Sequence, residues 1–166
     1  ACSPFLMGFC AENGVGVSFL SEHGRFLARV QGPVSGNVLL RREQYRRADD
    51  PQTSAELSRC VLAGKIANSR TVLQRAIRDH GEKIAADEVG FAVKRLNHYL
   101  EILDGDHNLD TLRGFEGDAA HIYFRVFDHL IVAQKDNFHF AERNRRPPLD
   151  NVNALLSFIY TLLVHD

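Results

Sequence analysis

One β-hairpin pattern stands near the start of this chain, and helical periodicity fills almost everything after it. Val15, Val17 and Phe19 alternate with small residues, a turn follows at 21–24, and residues 25–30 favour a return strand. A two-stranded hairpin is marginal in water by itself, so it needs further strands or a helix face to pack against. The pattern predicts a mainly α protein of the α+β class.

Six helices are predicted from the apolar spacing and from the residues that cap or break helices. Ser3 followed by Pro4 starts a short first helix, which Gly14 ends. The last helix starts at Asp150, and a short strand over residues 138–140 is predicted before it. The other four helices are predicted over residues 37–48, 53–80, 84–103 and from about 108 to 130.

A connector at residues 31–36, which contains Gly, Pro and Ser, separates the hairpin from the later helical patterns. We place a domain boundary in this connector. Residues 1–34 are interpreted as the remnant of an N-terminal β domain, made of a short helix and the hairpin, and residues 35–166 as a helical domain. The hairpin lacks sheet partners and the last helical pattern lacks a terminator, so we expect the chain to be incomplete at both ends.

Composition and charge exclude several classes of protein. Hydrophobic residues make up 45% and charged residues 25% of the chain, which is typical of a globular protein. The formal net charge of -1 argues against binding nucleic acid through bulk positive charge, so any such site must be local. The three cysteines show neither metal-ligand nor disulfide spacing, and no apolar run is long enough to span a membrane. We therefore expect reduced thiols in a cytoplasmic protein without a membrane partner.

Arginine supplies 16 of the 20 basic residues, which favours sites that grip a phosphate or carboxylate at two points. In the segment 143–148, RNRRPP, three arginines precede the last helix, where free backbone amides also attract anions. This arrangement suits a phosphate group. A surface loop in which the arginines pair with Glu142 and Asp150 is an equal alternative.

A second basic cluster lies on the predicted helix 37–48. Arg41-Arg42 and Arg46-Arg47 form two pairs about one helical turn apart. Such pairs can follow a nucleic-acid backbone, and a solvated helix face is the alternative interpretation.

Glu116 is flanked by Gly114 and Gly117 inside a helical pattern, where each glycine costs about 0.8–1 kcal/mol relative to alanine. Two such glycines indicate close backbone approach at this point. Helical spacing aligns Glu116 with an apolar stripe that we expect its carboxylate to face, so that the charge needs a partner. The stripe consists of Ala120, Tyr123 and Phe127. The partner is either a hard divalent cation or Arg113 one turn earlier, and the residues alone favour Arg113.

Three motifs together carry a resemblance to a known family: LRGFEG at 112–117, RNRRPP at 143–148 and VNALLSF at 152–158. With GRFLAR at 24–29 and GKIANSR at 64–70, they closely resemble the CRISPR-associated integrases of spacer acquisition, the Cas1 family. The resemblance implies an N-terminal β domain joined to a helical catalytic domain. It also implies a metal-dependent DNA endonuclease or integrase, in which a 3′-hydroxyl attacks a phosphodiester in the repeat array.

The resemblance also assigns roles to residues. Glu116 matches the family's catalytic glutamate, which binds Mg²⁺ or Mn²⁺ together with a histidine and an aspartate further along the chain. We expect those two ligands beyond Asp166, and we do not take His121, His129, His165 or Asp166 as substitutes. The chain alone is therefore expected to bind the cation weakly and to be inactive. The expected DNA contacts are Arg41, Arg42, Arg113, Arg143, Arg145, Arg146 and Asn153.

The resemblance implies two partners, DNA and the second CRISPR adaptation protein, Cas2. The uncovered hairpin predicts a third, a second copy of this chain, in a homodimer or a swapped association through residues 15–30. Two other functions stay open, a DNA-binding module without catalysis and a helical structural subunit. The binding module would lose DNA affinity steeply with salt and be indifferent to Glu116, whereas the structural subunit would not bind DNA.

Overall fold

The computed structural model describes residues 2–33 and 36–165, and it confirms a mainly helical α+β fold with a small two-stranded sheet. All six predicted helices and the predicted hairpin are present. The elements in chain order are α1 Pro4–Glu12, β1 Val17–Leu20, β2 Phe26–Val30, α2 Val38–Asp49, α3 Pro51–His80, α4 Ala86–Ile102, α5 Leu109–Arg125, a 3₁₀ turn Phe127–Leu130, and α6 Asn151–His165. The chain divides into two compact units, Ala1–Val38 with Asn144–Asp166, and Leu39–Arg143.

Side-chain caps set the starts of several helices, among them α1, where the sequence predicts it. Ser3 precedes α1 and its hydroxyl accepts the Leu6 N–H at 3.2 Å. Asp50 caps α3, and its carboxylate accepts the Thr53 N–H at 3.1 Å. The hydroxyl of the same threonine also donates to Asp50, and this side-chain hydrogen bond lowers the pKa of Asp50 below its ordinary value. These local contacts explain why α2 and α3 remain separate helices.

The turn of the hairpin contacts a helix that lies far away in the sequence. Val17 pairs with Val30 and Phe19 with Ala28 across the antiparallel ladder. Gly24 in the turn has a φ of +74°, and a Cβ atom added there would lie 3.3 Å from the ring of Phe158 on α6. The ring of Phe158 on α6 therefore lies against the turn of the hairpin.

Helices α3, α4 and α5 build the core of the unit Leu39–Arg143. Tyr99 of α4 packs edge-on against Phe115 of α5, with 5.6 Å between ring centroids. Its hydroxyl donates to Asp118 Oδ2 at 2.9 Å, and burial raises the pKa of Tyr99. These contacts fix the rotation of α5 about its axis. The buried side chains of the three helices include Leu62, Ile66, Leu73, Val89, Ala92, Leu96, Leu112 and Ala119.

One local prediction is wrong. No strand forms at Phe138 and Phe140, because the Phe140 N–H donates to Asp128 Oδ1 at 2.7 Å instead of joining a ladder. The Phe140 ring is buried 4.9 Å from that of Phe127.

Gly81 directly follows α3, which ends at His80 as the sequence predicts. A Cβ atom there would lie 2.6 Å from the Ile77 carbonyl oxygen, so close backbone approach requires this glycine.

The predicted domain boundary falls between Val34 and Ser35, which lie outside the described residues. It therefore stays a proposal. In the structure, residues 144–166 belong to the same compact unit as residues 1–38.

We expect the hairpin to mediate a homodimer. In the described part of the chain the sheet has two strands, and the side chain of Leu27 on β2 is 61% exposed. Leu27→Lys should weaken the dimer at least about tenfold, since a buried anchor residue commonly contributes more than a factor of ten. Light scattering at several concentrations measures this, with Leu57→Lys on α3 as the matched control. A monomer at high concentration would contradict the prediction.

Candidate functional site

Glu116 lies on the surface of α5 and forms an ion pair with α3. Lys65 Nζ lies 2.6 Å from Glu116 Oε1, although the two residues are 51 positions apart in the sequence. The side chains are 54% and 50% exposed for the lysine and the glutamate, respectively. The carboxylate is thus accessible to solvent and already has a cationic group on one oxygen.

The expectation that Glu116 faces an apolar stripe is wrong. The inward face of α5 is set by Leu112, Phe115 and Ala119, which pack into the core. Each residue advances about 100° around a helix, so Glu116 falls on the flank of that face. Ala120 and Tyr123 on the same flank are half-buried, but Glu116 is exposed. The carboxylate needs no buried counter-charge, and its partner lies on the neighbouring helix.

The alternative pairing with Arg113 is also wrong. Arg113 Nη1 instead donates to Asp110 Oδ1 at 3.1 Å, one turn towards the N-terminus of α5. Arg113 is exposed, so its predicted contact with DNA stays a prediction.

Three exposed glycines lie next to the ion pair in the sequence. Gly64 directly precedes Lys65 on α3, and Gly114 and Gly117 flank Glu116 on α5. A Cβ atom added at any of the three would meet no atom within 4 Å among the described residues. Internal packing therefore does not require these glycines, although each costs about 0.8–1 kcal/mol in a helix interior. Because these three residues have no side chains, no side-chain atoms project from the helix surface at these positions beside the ion pair.

Glu116 fits one position of a divalent-cation site, and the described residues do not complete that site. Its carboxylate supplies hard oxygen atoms, which Mg²⁺ and Mn²⁺ prefer, and it is accessible. Within residues 2–33 and 36–165 no group of three His, Cys, Asp or Glu side chains is placed to hold a metal ion. Any cation bound at Glu116 would need further ligands from elsewhere.

Sequence reasoning missed Lys65 as a site residue. The residue lies in the GKIANSR motif that supports the family resemblance, but the motif gives it no role. Its contact with Glu116 depends on the packing of α3 against α5. Apolar periodicity predicts which face of each helix is buried, but not which helix packs against it. The unusual glycine next to it was the one local signal.

The RNRRPP segment is held at the start of α6 by amide side chains. Asn153, in the first turn, is fully buried. Its Oδ1 atom accepts the Asn144 N–H at 3.1 Å, and its Nδ2 atom donates to Asp150 Oδ2 at 2.6 Å. The Asn144 side chain in turn accepts the Leu149 N–H at 2.7 Å. The predicted DNA contact of Asn153 is therefore corrected, because its buried side chain shapes the loop.

We expect Asn153→Ala to loosen this segment. The substitution leaves the Asn144 N–H without its acceptor, and loss of a buried hydrogen-bond partner costs about 1–3 kcal/mol. Hydrogen exchange should become faster at the Asn144 and Leu149 amides. Asn68→Ala, at an exposed position of α3, is the control. Unchanged exchange at both amides would show that Asn153 does not hold the loop.

The loop arginines differ in exposure. Arg145 and Arg146 are exposed, whereas Arg143 is half-buried and engaged in a further interaction. Asp150, one of the two acids expected to pair with them, instead accepts from Asn153. The loop thus presents two exposed guanidinium groups. Arg145 and Arg146 belong to a different compact unit from Glu116, so they form a separate candidate site.

The arginines of α2 are on a helix with no buried residue. Arg41 and Arg42 are exposed, and Arg47 Nε donates to Glu43 Oε1 at 2.9 Å. This geometry is compatible with a solvated face and with contact to a nucleic-acid backbone. The two arginines therefore stay predicted DNA contacts.

Among the described side chains, no histidine or cysteine forms a group of three with Glu116 that could hold a metal ion. His129 Nε2 lies 3.5 Å from Glu88 Oε2, and His121 lines a cleft of about 550 Å³ between α4 and α5. The side chain of His165 and all of Asp166 lie outside the described residues. Cys2, Cys10 and Cys60 are free thiols.

Among the described residues, none of the helices is both long enough and apolar enough to cross a membrane.

The fold and the site together define a mainly helical α+β protein with an accessible carboxylate on the helical unit and an arginine loop before its last helix. The family described as CRISPR associated protein Cas1 matches residues 1–166. The chain therefore belongs to the Cas1 family, as the sequence motifs predict.

Relatives and solved structures agree with this assignment. A CRISPR-associated endonuclease Cas1 of Chlorobaculum tepidum is 52% identical over 166 residues, covering 100% of this chain and 48% of the relative. Another, of Rhodospirillum rubrum, is 49% identical, covering 99% and 48%. The chain thus spans about half the length of these curated relatives.

Two solved structures share the fold. A Cas1 protein from Thermotoga maritima superposes with a TM-score of 0.70 at 21% identity, covering 97% of this chain and 48% of that chain. A chain of a Cas6-RT-Cas1–Cas2 complex gives a TM-score of 0.67 at 25% identity, covering 93% and 16%.

Proposed function

We propose that this chain is the part of a CRISPR spacer-acquisition integrase that supplies one carboxylate ligand of the catalytic cation and part of the DNA-binding surface. The observation that carries the proposal is the position of Glu116. It is accessible on a well-packed pair of helices, and it already has a positive group on one oxygen. A rigid support of this kind is what a ligand of a catalytic cation requires.

The proposed activity is metal-dependent cleavage and joining of DNA. In the joining reaction a DNA 3′-hydroxyl attacks a phosphodiester in the repeat, a new P–O bond forms, and the target strand leaves with its own 3′-hydroxyl. A bound Mg²⁺ or Mn²⁺ supplies charge stabilisation at the phosphate oxygens. Glu116 would hold that cation, together with the histidine and aspartate that the family resemblance implies outside the described residues.

The surroundings of Glu116 suit a large, close-fitting substrate. The helix surface beside Lys65 and Glu116 lacks side chains at three glycines, Gly64, Gly114 and Gly117. A DNA backbone can therefore approach this surface closely. Separately from the Glu116 site, in the other compact unit, Arg145 and Arg146 offer exposed guanidinium groups that suit phosphates. The relatives named as endonucleases, and the solved complex named for Cas1 and Cas2, support DNA as substrate and Cas2 as partner.

A strand-joining assay tests the proposal. A full-length protein that carries this chain is mixed with Cas2, a short duplex with free 3′-hydroxyls and a target containing a repeat. Joined product should form with Mg²⁺ or Mn²⁺ and disappear when the cations are chelated. Joining that is equally efficient without a divalent cation would contradict the proposed chemistry.

A second measurement separates this function from a helical subunit that does not bind DNA. Arg145→Ala and Arg146→Ala should each weaken DNA binding and lower the salt dependence of log K by about 0.9, which is the value for one phosphate contact. Arg75→Ala, which removes an arginine paired with Asp79 on α3, is the control. DNA affinity that ignores salt and both loop substitutions would favour the structural subunit.

A further inference from the structure

Lys65 is one of only four lysines in the sequence, and its ammonium sits on the proposed ligand of the cation. The backbones on both sides of the contact are well supported. Leu62 and Ile66 of α3 share a buried cluster with Leu112 and Ala119 of α5. The relative position of Lys65 and Glu116 therefore follows from the core, and the ion pair is not needed to bring the two helices together.

We propose that Lys65 is a positioning residue of the Glu116 site, whose ammonium holds the carboxylate until a divalent cation displaces it. The inference rests on the proposed function, since it requires Glu116 to be a cation ligand. Lys65 Nζ lies 2.6 Å from Oε1, and an ammonium this close competes with a metal ion for the same oxygen. Cation binding and the ion pair thus oppose each other.

The ion pair has the properties of an exchangeable contact. Both side chains are about half exposed, and water competes for exposed pairs so well that they contribute little to folding. Opening this pair leaves no charge buried, in contrast to the breaking of an interior salt bridge. The lysine can therefore leave the carboxylate without any change in the helices.

The choice of lysine fits this role better than arginine would. An ammonium makes a compact point contact, whereas a guanidinium grips a carboxylate with two parallel hydrogen bonds and releases it less readily. The chain has four times as many arginines as lysines, and Arg113 lies one turn from Glu116. Arg113 nevertheless pairs with Asp110. The Glu116 carboxylate instead contacts Lys65, whose ammonium a cation displaces more easily than a guanidinium.

Mn²⁺ affinity, measured by electron paramagnetic resonance on a full-length protein carrying this chain, tests the proposal without relying on turnover. Lys65→Gln should bind Mn²⁺ about two- to fivefold more tightly than the wild type, because the cation no longer displaces an ammonium. Lys65→Arg keeps the competing charge, so its affinity should stay at or below the wild-type value. Lys94→Gln on α4 removes another exposed lysine as the control, and circular dichroism verifies that each variant is folded.

The outcomes separate the role of Lys65 from that of Glu116. Tighter binding in Lys65→Gln but not in Lys94→Gln supports the proposal. If Lys65→Gln matches Lys94→Gln or binds more weakly, while Glu116→Gln loses the cation, the role of Lys65 is overturned and the proposed function stands. If Glu116→Gln binds Mn²⁺ like the wild type, the proposed function and this inference are both overturned.

Discussion

Glu116→Gln in a full-length protein that carries this chain should lower cation-dependent strand joining by at least about 100-fold. A residue that stabilises the charge developing in the transition state commonly contributes a factor of about 100 to 1,000. The substitution removes the negative charge and keeps the size of the side chain. Because Glu116 is exposed and its ion pair with Lys65 is a surface contact, folding should be almost unaffected. Joined product is quantified by gel electrophoresis under single-turnover conditions.

Glu101→Gln is the matched control for this experiment, since Glu101 is an exposed glutamate on α4. It should leave joining unchanged. Joining by Glu116→Gln at a rate within a few fold of the wild type would exclude Glu116 as a ligand. Loss of joining together with unchanged DNA affinity would separate the integrase from a DNA-binding module that lacks catalysis.

Leu73→Ala should lower the free energy of unfolding by about 2–5 kcal/mol, which is the range for removing a large aliphatic side chain from a packed core. Leu73 of α3 has 0% of its side-chain surface exposed and belongs to the cluster shared by α3, α4 and α5. Denaturation by urea, followed by circular dichroism, measures the change.

The control for the core substitution is Leu57→Ala on the same helix. Leu57 is 52% exposed, so its loss should change the unfolding free energy by no more than about 0.5 kcal/mol. Equal effects of the two substitutions would mean that α3 does not present the Leu73 face to the core.

Features that depend on nearby residues could be predicted from the sequence. Ser3 caps α1 through a hydrogen bond to a residue three positions away, so the local sequence is sufficient. The hairpin follows in the same way from alternating residues and a glycine turn. The helix that contacts its turn could not be predicted, because the contact between Gly24 and Phe158 joins segments that only the complete fold brings together.

The Glu116 site is a second case in which a contact between distant segments could not be predicted from the local sequence. Its residue type and flanking glycines identified the carboxylate, but helical spacing alone does not determine which face of α5 is buried. The contact of Phe115 with Tyr99 decides that rotation and leaves Glu116 on the exposed flank beside Lys65. A partner from another helix has no signature in the spacing of α5, and the nearer Arg113 was therefore the wrong prediction.

Asn153 shows that a residue in a family motif can support the local structure instead of contacting DNA. Its place in VNALLSF predicted a DNA-binding role, yet its side chain is buried and bonded to Asn144 and Asp150. The residue supports the loop that carries Arg145 and Arg146. Its influence on DNA binding would then act through the shape of that loop.

The position of a bound Mn²⁺ ion, found by anomalous scattering in crystals of a full-length protein carrying this chain, tests the proposed site most directly. We predict an anomalous peak within coordination distance of a Glu116 carboxylate oxygen, with Lys65 Nζ displaced from Oε1. A Mn²⁺ peak at other residues, with Glu116 still paired to Lys65, would contradict the proposed function.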